Sequence, residues 1–211
     1  MAFDTYANLQ SEISAYLQRG TSLDARIPSW ITLAEGDIAK DLRTWRMESL
    51  ESLTVTAASA IVTLPARLRD IKWLKLNGTE ERVLEHLPAA AFYGIYAQAS
   101  SDTPRHYTLS EGNLLLAPTP SQNGTLSALC ILSAPALSAS APTNDILTNY
   151  PDIYFYAALV HAFRFVRNRE RMQEAMEAYA VAVGKANLES NRRKSLGTSA
   201  GIRGVGRRSI V

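Results

Sequence analysis

The residues that could perform chemistry are few and widely separated. The 211-residue chain contains three histidines, His86, His106 and His161, and a single cysteine, Cys130. No histidine lies near the cysteine and no two histidines are four residues apart, so the ligand spacing of a zinc site is absent. Cys130 lies within the apolar run LSALCIL, which predicts a buried, unreactive thiol. We therefore predict no catalytic residue, no metal ligand and no cofactor.

A pair of carboxylates in the stretch LAEGDIAKDL, Glu35 and Asp37, could suggest acid–base catalysis. Because they are two residues apart on a predicted helix, they point in different directions. We interpret them as solvated polar positions. His161 follows a long apolar run, which favours a packed or interface histidine over a catalytic one.

The C-terminal sequence NRRKSLGTSAGIRGVGRRSIV, residues 191–211, has an unusual composition. It contains six basic residues, four glycines and no acidic residue, whereas the first 190 residues hold all 20 acidic residues and only 16 of the 22 basic ones. Such a segment buries too little apolar surface to fold alone. A mildly acidic body with a basic arm is typical of an arm that meets nucleic acid or an acidic protein surface. The glycines of GIRGVG do not indicate a phosphate-binding loop, because no strand precedes them and no Gly-Lys-Ser/Thr follows.

Helices are predicted at both ends of the chain, where apolar residues recur with helical period. Residues 4–19 and 26–44 each carry one apolar stripe, and Pro28 suits the first turn of the second helix. From Pro151 onward, IYFYAALVHAFRFV is apolar nearly all round, which indicates a buried helix, and a further amphipathic helix follows.

Between these helices the apolar period changes to two, which predicts about six short strands. Asn77 and Gly78 separate two apolar runs and predict a hairpin whose two turn residues both take positive φ. A second hairpin should turn around Gly112, and a turn at Asn123 and Gly124 should precede another strand. The stretch PAAAFYGIYAQAS predicts a short helix laid over the sheet.

This order of elements predicts an α+β fold, a helical bundle with an inserted, mostly antiparallel sheet region. The composition is that of a soluble protein, and no apolar stretch is long enough to span a membrane. We expect four parts: an N-terminal helical pair at 1–47, a β-rich insertion at 48–148, helices completing the bundle at 149–190, and an extended basic arm at 191–211.

Five segments together resemble the head-to-tail adaptor proteins of short-tailed bacteriophages, the tail tubular protein A group. They are YANLQSEISAYLQR, LDARIPSWITLAEGDIAKDLRTWRMES, VTLPARLRDIKWLKLNG, PRHYTLSEGNLLLAPTP and APTNDILTNYPDIYFYAALVHAFRFVRNRERM. Their order and spacing carry the resemblance, which covers roughly residues 4–190.

The resemblance implies a structural virion protein rather than an enzyme. Such adaptors form a ring, usually of twelve copies, beneath the portal protein. The ring continues the DNA channel without sequence-specific DNA binding and receives the tail nozzle protein. The implied location is the virion neck, after assembly in the host cytoplasm and without a membrane partner.

Two sets of residues would then make the contacts. The arm would bind the portal, with its basic residues pairing with acidic groups and its apolar residues filling small pockets. These arm residues are Arg192, Arg193, Lys194, Ile202, Arg203, Val205, Arg207, Arg208, Ile210 and Val211. The hairpin tips at Asn77, Gly78, Gly112 and Asn113 would face the tail, since exposed turns often carry binding residues.

Two alternative functions stay open. In the first, the chain is a nucleic-acid-binding module whose basic C-terminal arm grips phosphates. In the second, it is a small cell-wall hydrolase carried by the virion, with Glu35 as its candidate catalytic residue.

Overall fold

The computed structural model describes residues 4–78, 81–97 and 100–195. The helices are α1 (Tyr6–Leu17), α2 (Ile27–Asp41), α3 (Ala89–Ile95), α4 (Asp145–Asn149), α5 (Pro151–Phe165) and α6 (Arg169–Ser195), with 3-10 helices at Gly20–Arg26 and Trp45–Met47. The strands are β1 (Glu48–Val55), β2 (Ile61–Val62), β3 (Leu68–Asn77), β4 (Arg82–Val83), β5 (Glu85–His86), β6 (Ser101–Asp102), β7 (His106–Ser110), β8 (Asn113–Ala117), β9 (Thr119–Pro120) and β10 (Gly124–Leu132). The predicted α+β class is confirmed.

The chain divides into two compact units. A sheet unit takes the residues up to 11 and residues 46–149, and a helical unit takes residues 12–45 and those from 150 onward. The division falls within α1.

The sheet unit contains two four-stranded sheets. The first has the strand order β1-β10-β3-β4 and is antiparallel throughout; the second has the order β2-β8-β7-β5, with β5 parallel to β7. Strands β6 and β9 form a separate parallel pair. Helix α3 contacts β7 and buries Phe92, as the predicted helix over the sheet should.

Alternation of apolar residues places the core of the sheet unit on one face of the first sheet. Leu53, Leu126 and Leu76 are in register across three strands and are all buried. The second sheet adds Leu114 and Leu116 to the same cluster. The period-two pattern read from the sequence therefore corresponds to real strands with one buried face.

The turns differ in detail from the sequence expectation. β3 and β4 form the predicted hairpin, but Leu76 pairs with Arg82, so the connection is longer than two residues. Of Asn77 and Gly78, only Gly78 has positive φ (145°), so the two-residue turn expected there is wrong. The β7–β8 hairpin has a two-residue turn in which both residues have positive φ, Glu111 (φ 53°) and Gly112 (φ 76°).

The helical unit is built around α5, which contacts both α2 and α6. Nine α5 residues are buried, in agreement with the predicted central helix: Ile153, Tyr154, Phe155, Ala157, Ala158, Leu159, Val160, Ala162 and Phe163. Tyr16 of α1 packs edge-on against Phe155 and Phe163, with ring centroids 5.4 and 6.3 Å away. No helix in the described ranges is both long and apolar enough to cross a membrane.

Helix α6 continues to Ser195 and so passes the expected start of the extended arm at residue 191. The backbone of Arg192, Arg193 and Lys194 is therefore helical, which corrects the boundary. Arginine and lysine are good helix formers, and cations are favoured in the last turn of a helix by its dipole.

Candidate interaction surfaces

The tip at Asn77 and Gly78 lies beside the start of β10. The Asn77 amide nitrogen Nδ2 donates to Ser127 Oγ at 2.9 Å and to Thr125 Oγ1 at 3.2 Å. The Asn77 side chain therefore forms hydrogen bonds across the sheet to β10. The sequence had predicted Asn77 as a turn residue with positive φ.

A shallow cleft of about 420 Å³ opens next to this tip. Its walls include the turn at Asn123, whose Oδ1 accepts a hydrogen bond from the Ala57 amide at 2.8 Å. Asp102 is the charged residue among its described walls, and it pairs with Arg105 at 3.6 Å. A cleft of backbone and short polar side chains with little charge suits a peptide segment better than a charged small molecule.

Gly112 and Asn113 lie away from this cleft. Pro104 and Pro120, which line it, are close to one end of the β7–β8 hairpin, and Gly112 is at the other end. A five-residue strand spans about 16 Å. The structure therefore does not bring the two predicted tips together into one site.

An apolar row crosses the other face of the first sheet. Leu50, Leu129 and Trp73 are in register on β1, β10 and β3, and Leu50 is 68% exposed. Trp73, at one end of this row, is 36% exposed. Leu129, between the exposed Leu50 and Trp73, is half-buried, and an apolar row open to solvent in this way is typical of a contact surface for another protein.

The base of the predicted arm is fastened to the segment that follows α2. Asn187 of α6 donates from Nδ2 to the Asp41 carbonyl at 3.2 Å, and its Oδ1 accepts from the Arg43 amide at 2.8 Å. One side chain thus satisfies an acceptor and a donor that the end of α2 leaves open.

Two further contacts hold the last turns of α6. Ser190 is completely buried, and its Oγ accepts a hydrogen bond from the Trp45 amide at 2.9 Å. The Arg193 guanidinium lies over the Trp45 ring, 4.8 Å from its centroid, a cation–π geometry. Arg193 was predicted to bind the portal, and here it fixes the helix from which the arm continues.

Sequence reasoning missed Asn187 and Ser190 as anchors. The available signal was their spacing: together with Arg193 they recur every three residues and continue the apolar stripe that ends at Ala186. Polar residues on a buried stripe need partners, so that pattern predicts specific hydrogen bonds. The other predicted arm residues, Ile202, Arg203, Val205, Arg207, Arg208, Ile210 and Val211, lie outside the described residues, and so does the side chain of Lys194.

An apolar groove runs beside α6 in the helical unit. It has a volume of about 500 Å³, and Val160, Met176 and Ala180 contribute to its walls. Met176 is 47% exposed and also lines a neighbouring depression of about 490 Å³ with Met172. Methionine adapts its shape to different partners, so this surface suits contact with another helix.

Charged and polar groups border this groove. Tyr179 donates to Asp41 Oδ2 at 3.1 Å, and burial together with the Asp41 charge raises the pKa of Tyr179. His161 Nε2 lies 2.9 Å from Asp37 Oδ2, and the Lys40 ammonium is 3.7 Å from Oδ1 of the same carboxylate. Asp37 is thus partnered rather than simply solvated as predicted.

The thiol of Cys130, the potential metal ligands and one serine motif are the remaining groups that could take part in chemistry. Cys130 is buried, and burial, reinforced by the charge of Glu51, raises the pKa of its thiol to about 11. No group of three or more potential metal ligands occurs in the described part of the chain. The letters GTSAG at 197–201 match a nucleophile elbow, but that motif follows a strand, and here helix α6 runs to Ser195.

A family model described as SU10 adaptor protein matches residues 4–203. The chain belongs to the SU10 adaptor protein family. The resemblance to phage head-to-tail adaptors seen in the sequence is confirmed, and the adaptor is a structural protein of a bacteriophage. The match extends past residue 190, so the first part of the basic tail belongs to the family pattern, contrary to the sequence interpretation. No curated protein matches the chain.

Proposed function

We propose that the adaptor is one subunit of a twelve-membered ring that docks beneath the portal, continues the DNA channel and receives the tail nozzle. The observation that carries the proposal is the family match over residues 4–203. Such a subunit would act in the virion neck after assembly in the host cytoplasm. It needs no cofactor and no catalytic group to do so.

A ring requires two different, complementary surfaces on each subunit, because head-to-tail contacts must close. The apolar groove at Met176 and Ala180, together with the neighbouring depression at Met172, is our candidate for one of them. Its support is the exposure of Met176, which is 47% open to solvent in the wall of the groove. An adaptable apolar side chain exposed in a groove is characteristic of a protein interface.

The portal contact is proposed for the basic arm. Asn187, Ser190 and Arg193 support this because they fix the last turns of α6, to which the arm is joined in sequence. A fixed starting point reduces the volume that the arm must search. Twelve arms on one ring would bind together far more tightly than one.

The nozzle contact is proposed for the hairpin tips of the sheet unit. The cleft beside Asn77 and Gly78 is the better-formed candidate, because a hydrogen bond donated by the Asn77 side chain and one accepted by the Asn123 side chain order its walls. Gly112 and Asn113 form a separate tip, which would need a second contact on the same partner.

Imaging of the purified adaptor mixed with its portal protein tests the proposal. We expect closed rings seated on the portal, each with a central channel. Portal particles that stay bare at saturating adaptor concentration would contradict it.

A further inference from the structure

The turn between α5 and α6 concentrates positive charge far from the arm in sequence. Residues 164–171, RFVRNRER, contain four arginines and one acidic residue, Glu170. Arg164 lines the apolar groove. The other three, Arg167, Arg169 and Arg171, have side chains at least partly open to solvent, and none forms an ion pair with a carboxylate in the described ranges.

Two backbone hydrogen bonds set the conformation of this turn. The Asn168 amide donates to the Phe163 carbonyl at 3.0 Å, and the Arg167 amide donates to the Arg164 carbonyl at 3.2 Å. These bonds resemble those of a Schellman motif, in which the residue with positive φ is usually glycine. Here that residue is Arg167, with φ 57°. Glycine would adopt this conformation with less strain, so Arg167→Gly should preserve the backbone of the turn.

The first turn of α6 contains residues that are unfavourable at the N-terminus of a helix. Arg169 and Arg171 occupy its first turn, where the helix dipole disfavours cations. Asn168 caps this turn, since its Oδ1 accepts from the Arg171 amide at 3.1 Å. Residues that disfavour their local structure and have no ion-pair partner within the subunit are expected at functional sites.

Arg26 adds a fourth guanidinium at the same end of the helical unit. It lies 4.7 Å from the centroid of the Phe165 ring, and Trp30 packs against that ring at 5.8 Å. The nearest acidic side chain on the adjoining 3-10 helix, Asp24, accepts a hydrogen bond from Ser14 at 2.6 Å. Arg26 is therefore seated on an aromatic surface, and Glu170 is the acidic residue within the turn itself.

We propose that this arginine turn, made of Arg26, Arg167, Arg169 and Arg171, contacts the phosphate backbone of double-stranded DNA. The guanidinium fork matches phosphate oxygens and pairs with them in two parallel hydrogen bonds. Four arginines with a single glutamate, Glu170, within the turn form a basic patch, which is the electrostatic footprint of a nucleic-acid-binding surface. Contact with phosphates carries no sequence information, so DNA could pass the turn. The inference rests on the proposed function, because DNA reaches this turn if the ring continues the DNA channel.

The test uses the full-length chain and a short labelled DNA duplex of mixed sequence, with binding measured by fluorescence anisotropy over a series of salt concentrations. The turn variant combines Arg167→Gly, Arg169→Gln and Arg171→Gln, and the glycine suits the backbone at 167. The matched control, Arg203→Gln with Arg207→Gln and Arg208→Gln, removes the same charge from the arm. A further variant combines the turn and arm substitutions, so that the contribution of the turn to DNA binding is measured without these three arm arginines.

Removing one phosphate contact reduces the steepness of log K against log salt by about 0.9, so the slope of the turn variant should be shallower by up to about 2.7. We expect this change both in the parent chain and in the variant that lacks Arg203, Arg207 and Arg208. An unchanged slope and affinity in both backgrounds would overturn the inference. An unchanged melting temperature excludes unfolding as the cause of weaker binding.

Ring formation on the portal is imaged with the same variants. Turn variants that form rings but bind DNA weakly support the inference, and turn variants that bind DNA normally overturn it whatever the rings do. A parent chain that forms no rings contradicts the proposed function whatever its DNA affinity. The two failures are therefore distinguishable.

Discussion

Phe163 occupies the centre of the helical unit, where its side chain is only 4% exposed and packs against Tyr16. Replacing a buried phenylalanine with alanine removes apolar contacts and leaves a cavity. We expect Phe163→Ala to lower the free energy of unfolding by about 3–5 kcal/mol, measured by denaturant titration. Leu188→Ala, at a position 60% exposed, is the control and should change it by less than about 0.5 kcal/mol. A Phe163→Ala chain as stable as the parent would contradict the placement of Phe163 in the core of the helical unit.

Cys130 should make stability depend on alkaline pH. Its thiol pKa is raised from 9.0 to about 11 by burial, so the unfolded chain loses this proton first as the pH rises. Stability should therefore be fully present below pH 9 and fall between pH 9 and 11, by at most about 2–3 kcal/mol from this group. Tyr107 and Tyr179 shift in the same direction, so the comparison is with Cys130→Ala. Parallel pH curves for the two proteins would show that the thiol contributes nothing.

At the scale of elements, the β7–β8 hairpin depends on two consecutive residues with positive φ. A Cβ at Gly112 would meet no atom within 4 Å, so only the backbone conformation, with φ 76°, resists a side chain there. We expect Gly112→Ala to cost about 1–2 kcal/mol in unfolding free energy. Glu111→Gly relieves the same kind of strain at φ 53° and should be neutral or stabilising. Equal effects of the two substitutions would contradict this turn geometry.

The elements with a strong period were predictable, and their junctions were less so. Apolar period 3.6 located α2 and α5, and period 2 located β3 and β10, because burial of one face selects these patterns. Asn77 and Gly78 predicted a tight turn from local preference alone, but in the structure Asn77 bonds across the sheet to Thr125 and Ser127 and the connection is longer. The contacts of Asn187 and Ser190 join residues more than 140 positions apart. No local pattern specifies such partners, so these anchors and the arginine turn required the structure.

For the whole molecule, the decisive question is what holds the adaptor on its portal. Single exposed ion pairs contribute only about 0–1 kcal/mol each, so one arm alone would bind weakly. In the proposed ring, twelve arms, each starting from a helix fixed by Asn187, Ser190 and Arg193, would act together through effective concentration. Deleting residues 196–211 keeps α6 intact to Ser195. We expect this deletion to leave the melting temperature nearly unchanged while abolishing stable attachment to the portal, measured by co-sedimentation.

The matched comparison for this deletion is Arg193→Gln in the full-length chain. It removes a cation–π contact inside the subunit and leaves the arm in place. Attachment should then weaken modestly, because the arm keeps its binding groups but starts from a less rigid base. If the deleted chain attaches with full occupancy while Arg193→Gln does not, the portal contact belongs to the end of α6 rather than to the arm. If neither change affects attachment, another surface of the subunit binds the portal, and the basic tail serves a different partner.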